Sequence, residues 1–385
     1  MSLDLKMLEK ELAEYKVYDA WQYVISLRET LSYMNASYEI ICKVYEHRKK
    51  VLSSIQDELI DIAMKTGSST LTKSTFDETN LKIGGYEIDD SLFLRKTTLE
   101  FFHYARISME VIYQIVNAAL LGDQAFLISE MGLPAKISRK LDVKTEFQAL
   151  KGLLDSNFTN SNYKYLTAFD NYIKHIKTVL ITVKNSFIFG NKEEFMINEF
   201  FYKGLKYEAC DAITIVRDIN NYVIDTIDNV LSEVMVQIPN CLDNSQRIQE
   251  IKFKAQIRKG EAGDSFDFIS FFIEVDDISD LPSEIKVYPL IVKPNDEIYS
   301  FDFTFNKIFL KKKDSDKETE SILGYAELKN GTDTNEFYRV YEIKEGGYGD
   351  YISYLAGFNK EYNKFSLNFN AMEGSIIMYE DKNLK

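Results

Sequence analysis

Residues 91–121 read SLFLRKTTLEFFHYARISMEVIYQIVNAALL, and this stretch decides how the chain folds. It contains no glycine and no proline, and from Phe101 onward most of its residues are apolar. A helix that is apolar around most of its circumference is buried among other elements instead of lying on a surface. The sequence therefore predicts a central helix against which the other helices pack.

One polar stripe interrupts this apolar helix. Its members follow each other at intervals of three or four residues, which places them on one side of the helix: His103, Arg106, Glu110, Gln114 and Asn117. Two interpretations are open. The stripe is the part of the helix that reaches water, with Arg106 and Glu110 forming an i,i+4 ion pair. Alternatively it lines a cleft or a subunit interface, where polar groups need partners; His103, Glu110, Gln114 and Asn117 are then candidate binding residues.

Composition and charge indicate an ordered, acidic protein. The 385 residues are 45% hydrophobic and include 26 Phe and 25 Tyr, which is typical of a chain with a large core. The net charge of −14 disfavours RNA and anionic lipid as partners. Cys42, Cys210 and Cys241 lie far apart and form neither a disulfide framework nor a zinc signature.

No segment of the sequence predicts secretion or a membrane span. The first 15 residues are charged and lack the apolar core of a signal peptide. The longest apolar run, 111–121, is too short and too polar to cross a bilayer. We therefore expect a cytoplasmic protein with reduced thiols, and the sequence gives no reason to expect a metal or another cofactor.

The first part of the chain has the periodicity of helices. A heptad-like seam runs from Val24 to Ile62 and is broken only at Arg48. A turn is expected at 132–134, and a small hairpin is expected near 195–207. Further helices are predicted over 146–154, 163–190 and 208–236.

The second part of the chain has the periodicity of strands. Four of the five prolines lie beyond Val236, and after Asn244 the apolar residues alternate with period two. The glycine-rich segment 346–349 lacks the following helix and lysine of a phosphate-binding loop, so it is predicted to be a turn. Strands are predicted over 248–258, 266–275, 285–292, 298–310, 321–329, 336–344, 351–357, 363–369 and 374–379.

These patterns predict an α+β protein of two domains. Residues 1–238 are expected to form a long-helix bundle that contains the small hairpin. Residues 245–385 are expected to form an antiparallel β-rich domain, arranged like a sandwich or as one strongly bent sheet.

Residues 170–175, DNYIKH, resemble the motif of the HEPN superfamily, and the resemblance covers the helical part over roughly 91–236. It implies a helical bundle of the kind found in prokaryotic defence and toxin systems. Active members of that superfamily are metal-independent ribonucleases in which paired Arg and His residues meet across a dimer cleft. Asn171 and His175 match the polar residue and the histidine of the motif, whereas Asp170 stands where arginine is expected.

RNA cleavage through the 2′-hydroxyl requires a proton acceptor and a cation that stabilises the phosphorane charge. The resemblance makes His175 the acceptor, with Asn171 beside it. Arg106 of the polar stripe would supply the cation if the two helices are neighbours, and Lys174 is a poorer source.

Three functions remain open at this point. Because Asp170 replaces the expected cation, the leading expectation is a cytoplasmic interaction or sensing protein built on a HEPN-like bundle. Its β-rich domain would recognise a protein partner or a second copy of the chain. The alternatives are a metal-independent ribonuclease toxin that uses His175, Asn171 and Arg106, and a soluble α-helical pore-forming protein.

Overall fold

The computed structural model describes residues 4–15, 17–70, 79–121, 124–126, 131–186, 192–241, 247–259, 266–292, 298–300, 306–313, 321–329, 339–357 and 372–380. The protein divides into two compact units. The first comprises 1–121 with 130–241, and the second comprises 242–385 with 122–129. The first unit is mainly helical and the second is built on a sheet, which confirms the predicted α+β class.

The described residues of the first unit include seven α-helices, which form its framework. The second of them is 49 residues long and extends over about 74 Å at the usual rise per residue. In chain order they are α1 (Leu5–Glu14), α2 (Tyr18–Thr66), α3 (Asp90–Leu120), α4 (Leu133–Lys140), α5 (Gln148–Thr159), α6 (Ser161–His175) and α7 (Ala212–Gln237).

Helix α3 is the predicted central helix. It begins after Asp89, whose side chain accepts a hydrogen bond from the Leu92 backbone N–H at 2.6 Å, as an N-cap residue does. It packs along α2 and also contacts α6 and α7. Most of its apolar side chains are fully buried, which confirms the prediction made from its apolar circumference.

The strands of the first unit form three small sheets. A hairpin pairs β1 (Leu81–Ile83) with β2 (Tyr86–Ile88), and a second hairpin pairs β5 (Phe200–Tyr202) with β6 (Leu205–Tyr207). The second hairpin turns at Lys203 and Gly204, which both have positive φ, so glycine relieves the strain at one of the two positions. A three-stranded sheet has the order β3 (Ile181–Ser186), β4 (Lys192–Ile197), β7 (Cys210–Asp211).

The predicted helix over 163–190 is wrong in its second half. Helix α6 ends at His175, and residues 181–186 form strand β3. The change occurs where the chain reads TVLITV from Thr178 onward, because these mostly β-branched residues favour a strand. The turn expected at 132–134 is confirmed at Gly132, which has a positive φ, but α4 already begins at Leu133. Pro134 lies in the first turn of α4, a position that proline favours.

The described strands of the second unit form one eight-stranded sheet, which fits the bent-sheet alternative and not the sandwich. Its strands are β8 (Arg247–Lys259), β9 (Phe266–Val275), β10 (Glu284–Val292), β11 (Ile298–Ser300), β12 (Lys307–Lys312), β13 (Ile322–Leu328), β14 (Arg339–Glu345) and β15 (Met372–Glu380), in the order β11-β10-β14-β13-β12-β9-β8-β15. Strands β9 and β12 pair in parallel, and the other neighbours pair antiparallel.

The sheet closes on itself at strand β10. Lys286 and Val287 pair with β14 on one edge of β10 and with β15 on the other. A closed sheet has one face turned inward, so a second packed layer is not required to cover it. This pairing is the physical reason why the predicted two-layer arrangement does not form.

Successive residues of the central strands belong to two apolar clusters, one on each face of the sheet. Phe271, Ile273, Ile308 and Leu310 belong to one cluster, whereas Phe272 and Phe309 point to the opposite face. There both rings contact Tyr351 of helix α8 (Tyr348–Gly357). The ring centroid of Tyr351 lies 5.2 Å from that of Phe272 and 4.9 Å from that of Phe309.

Helix α8 corrects the strand predicted over 351–357 and the turn predicted over 346–349. The Asp350 carboxylate accepts a hydrogen bond from the Gly347 N–H at 2.8 Å and so starts the helix. The apolar residues Tyr348, Tyr351 and Tyr354 recur every three residues, which suits a helix better than a strand. Two further predictions differ: 298–310 contains two separate strands, and 363–369 lies outside the described residues.

Candidate functional site

The polar stripe of α3 passes from solvent into the core of the first unit. His103 is exposed, Arg106, Glu110 and Gln114 are half-buried, and Asn117 is buried. The wet-face interpretation therefore describes His103 and Glu110, whose side chains are 46% and 44% exposed. Arg106 and Asn117, which are largely buried, need partners within the protein.

Asp170 of α6 is the partner of the exposed end of the stripe. Its Oδ1 lies 3.2 Å from Nδ1 of His103, and its Oδ2 lies 2.8 Å from Nζ of Lys174. The Asp170 side chain is 5% exposed, whereas that of His103 is 46% exposed. Helix spacing explains the lysine contact, since Lys174 follows Asp170 by one turn. A buried carboxylate thus holds two groups that both reach solvent.

Arg106 is held by two groups one turn further along α3. Its Nη2 lies 2.9 Å from Oε1 of Glu110, and its Nη1 donates a hydrogen bond to the Tyr163 hydroxyl at 3.3 Å. The guanidinium carbon is also 5.5 Å from the centre of the Tyr163 ring. Burial lowers the pKa of Arg106, but Tyr163, Glu110 and Asp170 outweigh burial, so the pKa is raised. Arg106 is therefore a fixed cation.

The buried end of the stripe adjoins a network of tyrosines. The Asn157 side chain on α5 donates to the Tyr113 hydroxyl at 3.3 Å and accepts from the Tyr222 hydroxyl at 2.7 Å. Burial raises the pKa of Tyr113, and it raises the pKa of Tyr222 to about 12. Both phenols are therefore neutral near pH 7 and act only as hydrogen-bonding groups. Tyr163 also raises the pKa of Tyr113, which relates this network to Arg106 through the Arg106–Tyr163 hydrogen bond.

The proposed catalytic residues are not brought together. The Asn171 side-chain amide donates to the Thr167 carbonyl at 2.8 Å, one turn back on its own helix. His175 is the last residue of α6 and is exposed. Within the described residues, no hydrogen bond or ion pair joins His175 or Asn171 to Arg106. The histidine that meets residue 170 of the motif is His103, from the other helix.

Of the predicted binding residues, His103, Glu110 and Lys174 lie in the clusters around Asp170 and Arg106. Gln114 lies half-buried on the same stripe, and Asn117 is buried at its inner end. Sequence reasoning missed Asp170 and Tyr163 as their partners. The spacing of Asp170 and Lys174 was a usable signal, because opposite charges four residues apart on a helix attract each other.

A second polar contact at the start of α3 was also missed. Arg48 of α2 places Nη1 2.6 Å from Oδ2 of Asp90, and Ser91 Oγ lies 3.3 Å from the same nitrogen. Both charged side chains are buried. The signal was present in the sequence, because Arg48 occupies an otherwise apolar position of the α2 seam. We interpret it as a structural pair because both side chains are buried.

The part of the chain that the structure describes contains neither a metal site nor a membrane span. No group of three or more His, Cys, Asp or Glu side chains in the described ranges could hold a metal ion. None of the helices described is both long and apolar enough to traverse a bilayer.

Comparison with known proteins reaches only part of the chain. Residues 249–376 match a family model described as a domain of unknown function, DUF8310. The similarity is confined to the second unit. No curated protein and no solved structure matches the chain. The family description names no activity, so the functional argument depends on the site itself.

Proposed function

We propose that the protein is a cytoplasmic interaction or sensing protein built on a HEPN-like helical unit, of the kind that serves prokaryotic defence. Its β-rich unit, which contains the match to the family of unknown function, would recognise a protein partner. The observation that carries the proposal is the pairing at Asp170, which takes up His103 and Lys174 at the position where the HEPN motif has arginine.

The charge balance of this site favours binding over RNA cleavage. Two cations, Lys174 and Arg106, face two carboxylates, Asp170 and Glu110, so the cations are already neutralised. A phosphate entering the site would meet the Asp170 charge within a few ångströms of any cation it could use. A ribonuclease needs the opposite arrangement, with uncompensated positive charge where the phosphorane forms.

The ribonuclease is a second candidate because of one specific contact. Asp170 is buried and holds Nδ1 of His103, while nearly half of the His103 side chain is exposed. When Nδ1 carries the proton, Nε2 is an acceptor that faces solvent, which suits general base chemistry. A nuclease in this chain would therefore use His103 in addition to, or in place of, His175. Nothing in the described helices favours the pore-forming alternative.

The two candidates differ in one assay. A mixed RNA pool is incubated without metal with the wild type, His175→Ala, His103→Ala and a control, His47→Ala, which changes an exposed histidine of α2. We expect no cleavage by any of the four proteins. Cleavage by the wild type and His47→Ala that is lost in His103→Ala or His175→Ala would overturn the proposal. Loss of a general base typically lowers the rate by about 10² to 10⁴, so the difference is easily measured.

A further inference from the structure

The segment that follows the HEPN-like motif has an unusual charge for this chain. Residues 171–192 contain four lysines and one histidine and no aspartate or glutamate, in a protein with a net charge of −14. The described part of the segment covers the end of α6, the connection 176–180 and strand β3. The segment is therefore locally cationic in sequence, and its Lys177 has no ion pair among the described residues.

Strand β3 lies at the edge of its sheet. Among the described strands it pairs only with β4. The Asn198 N–H donates to the Leu180 carbonyl at 2.9 Å, so the pair 180/198 is hydrogen-bonded. Hydrogen-bonded pairs alternate along an antiparallel ladder, so 182/196 and 184/194 are also bonded. The main-chain N–H and C=O groups of Ile181, Val183 and Asn185 consequently point away from β4, along an edge where no described strand pairs.

Apolar and cationic side chains flank this edge on the solvent side. Ile176 and Leu180 are large apolar residues that are exposed. Lys177 and Lys184 are also exposed. Lys184 faces Glu194 across the strands, whereas no described carboxylate lies in an ion pair with Lys177. The inner side of β3 is closed by contrast, because Ile181 and its cross-strand neighbour Ile197 are buried.

We propose that 176–186 is the docking edge for an extended acidic segment of a protein partner. The partner segment would add as a strand along β3 and bond to the main chain of Ile181, Val183 and Asn185. Its apolar side chains would cover Ile176 and Leu180, and its carboxylates would lie near Lys177. This proposal rests on the proposed function and names the class of partner. Open strand edges bind peptides in this way, with main-chain bonds giving affinity and side chains giving specificity.

The free strand edge distinguishes a peptide from other anionic partners. RNA and lipid headgroups can pair with the lysines, but neither has a backbone of alternating N–H and C=O groups that matches β3. The net charge also favours a peptide over RNA or lipid. A chain with a net charge of −14 repels a polyanion at long range, whereas a short acidic segment needs only the local lysines.

The test uses the full chain and a defined probe. The probe is a fluorescent ten-residue peptide of alternating Glu and Val, and binding is measured by anisotropy. A matched peptide carries N-methyl groups on alternate amides, which removes the bonds that a strand would form. We expect the N-methylated peptide to bind at least about tenfold more weakly, since several main-chain bonds are lost.

Three protein variants locate the binding edge. Lys177→Glu should weaken binding about fivefold or more, whereas Lys164→Glu, an exposed lysine on α6 outside this surface, should change it by less than about twofold. Val183→Pro removes an outward N–H without removing a bond to β4, so it should abolish binding while the far-ultraviolet circular dichroism stays unchanged. The N-methylated peptide keeps the test decisive if Val183→Pro fails to fold.

Several results would overturn this inference. They are absence of probe binding at millimolar concentration, equal binding of the N-methylated peptide, and equal weakening by Lys164→Glu. Tighter binding of oligouridine or of phosphatidylserine vesicles that Lys177→Glu abolishes would assign the surface to RNA or to a membrane. Failure of the peptide test with no RNA cleavage leaves the proposed function intact, whereas RNA cleavage overturns that function independently of this edge.

Discussion

Two arginine–carboxylate pairs involve helix α3, and they differ in their access to water. The side chains of Arg48 and Asp90 are 7% and 3% exposed, and those of Arg106 and Glu110 are 12% and 44% exposed. Breaking the first pair leaves a charge that water cannot reach. Breaking the second leaves a carboxylate that is already solvated. An arginine–carboxylate pair is therefore sealed from water at the start of α3 and open to water further along the same helix.

The comparison separates a structural pair from a site. Arg48 joins the middle of α2 to the first turn of α3 and so fixes how the two long helices align. Arg106, with His103 and Asp170 beside it, is held in place but open at one side. The second group is the more accessible of the two, because His103 and Glu110 are 46% and 44% exposed. Variants at the two ends of α3 can therefore break or sharpen this distinction.

The largest effect is expected for Arg48→Leu. The change removes the cation but leaves Asp90 buried, which typically costs about 3 to 5 kcal/mol of unfolding free energy. Urea unfolding followed by circular dichroism measures it. Lys50→Leu on the same helix, where the lysine pairs with Glu46 in solvent, is the control and should cost about 0.5 kcal/mol or less. Equal effects of the two changes would show that Arg48 is solvated.

A smaller effect is expected for Arg106→Leu. The change removes a hydrogen bond to Tyr163 and a cation–π contact, while Glu110 remains accessible to water. We expect a loss of about 1 to 2 kcal/mol. A loss below about 0.5 kcal/mol would mean that this part of the stripe is only a wet surface. A loss as large as that of Arg48→Leu would mean that Glu110 is buried in an assembly.

The tyrosine network behind the stripe predicts a dependence on alkaline pH. The pKa of Tyr222 is raised from 10.0 to about 12, so the folded protein keeps the phenolic proton where the unfolded chain loses it. The folded state then binds more protons, and its stability falls as the pH rises through 10 to 12. Tyr222→Phe removes this contribution. The stability difference between wild type and Tyr222→Phe should therefore change above pH 10 and stay constant between pH 7 and 9.

The smallest effect is expected for Glu9→Gln on α1. Burial raises the pKa of Glu9 even though Oε1 lies 3.0 Å from Nη1 of Arg28. The folded protein then binds a proton more readily than the unfolded chain, so ionised Glu9 opposes folding and stability rises as the pH falls toward 4.5. The Gln variant should be equal to the wild type or more stable at pH 7, by about 0.5 kcal/mol or less. A clearly less stable Gln variant at pH 7 would contradict this sign.

Periodicity predicted the parts of the fold that depend on one chain segment. The bounds of α3 and of most strands of the second unit follow from spacing alone. Wherever one face of a helix or strand is buried, its apolar residues recur with the period of that element. The secondary structure of residues 176–186 was not predicted correctly in this way. Ile176, Leu180 and Val183 fit a helical face as well as a strand, and only the pairing with β4 decides between them.

The site was predicted in part for the same reason. The stripe on α3 was visible because its members share a helix. Its partners were not visible, since Asp170 and Tyr163 come from a helix that is more than 50 residues away in the chain. Closure of the sheet at β10 is also a long-range pairing, and alternation along single strands cannot show it.

A pair of double-mutant cycles tests the distinction between the sealed and the open pair most directly. One cycle combines Arg48→Met with Asp90→Leu, and the other combines Arg106→Met with Glu110→Leu. The account predicts a coupling energy of about 3 kcal/mol or more for the first pair and below about 1 kcal/mol for the second. Equal couplings, or a larger one for Arg106 and Glu110, would contradict it.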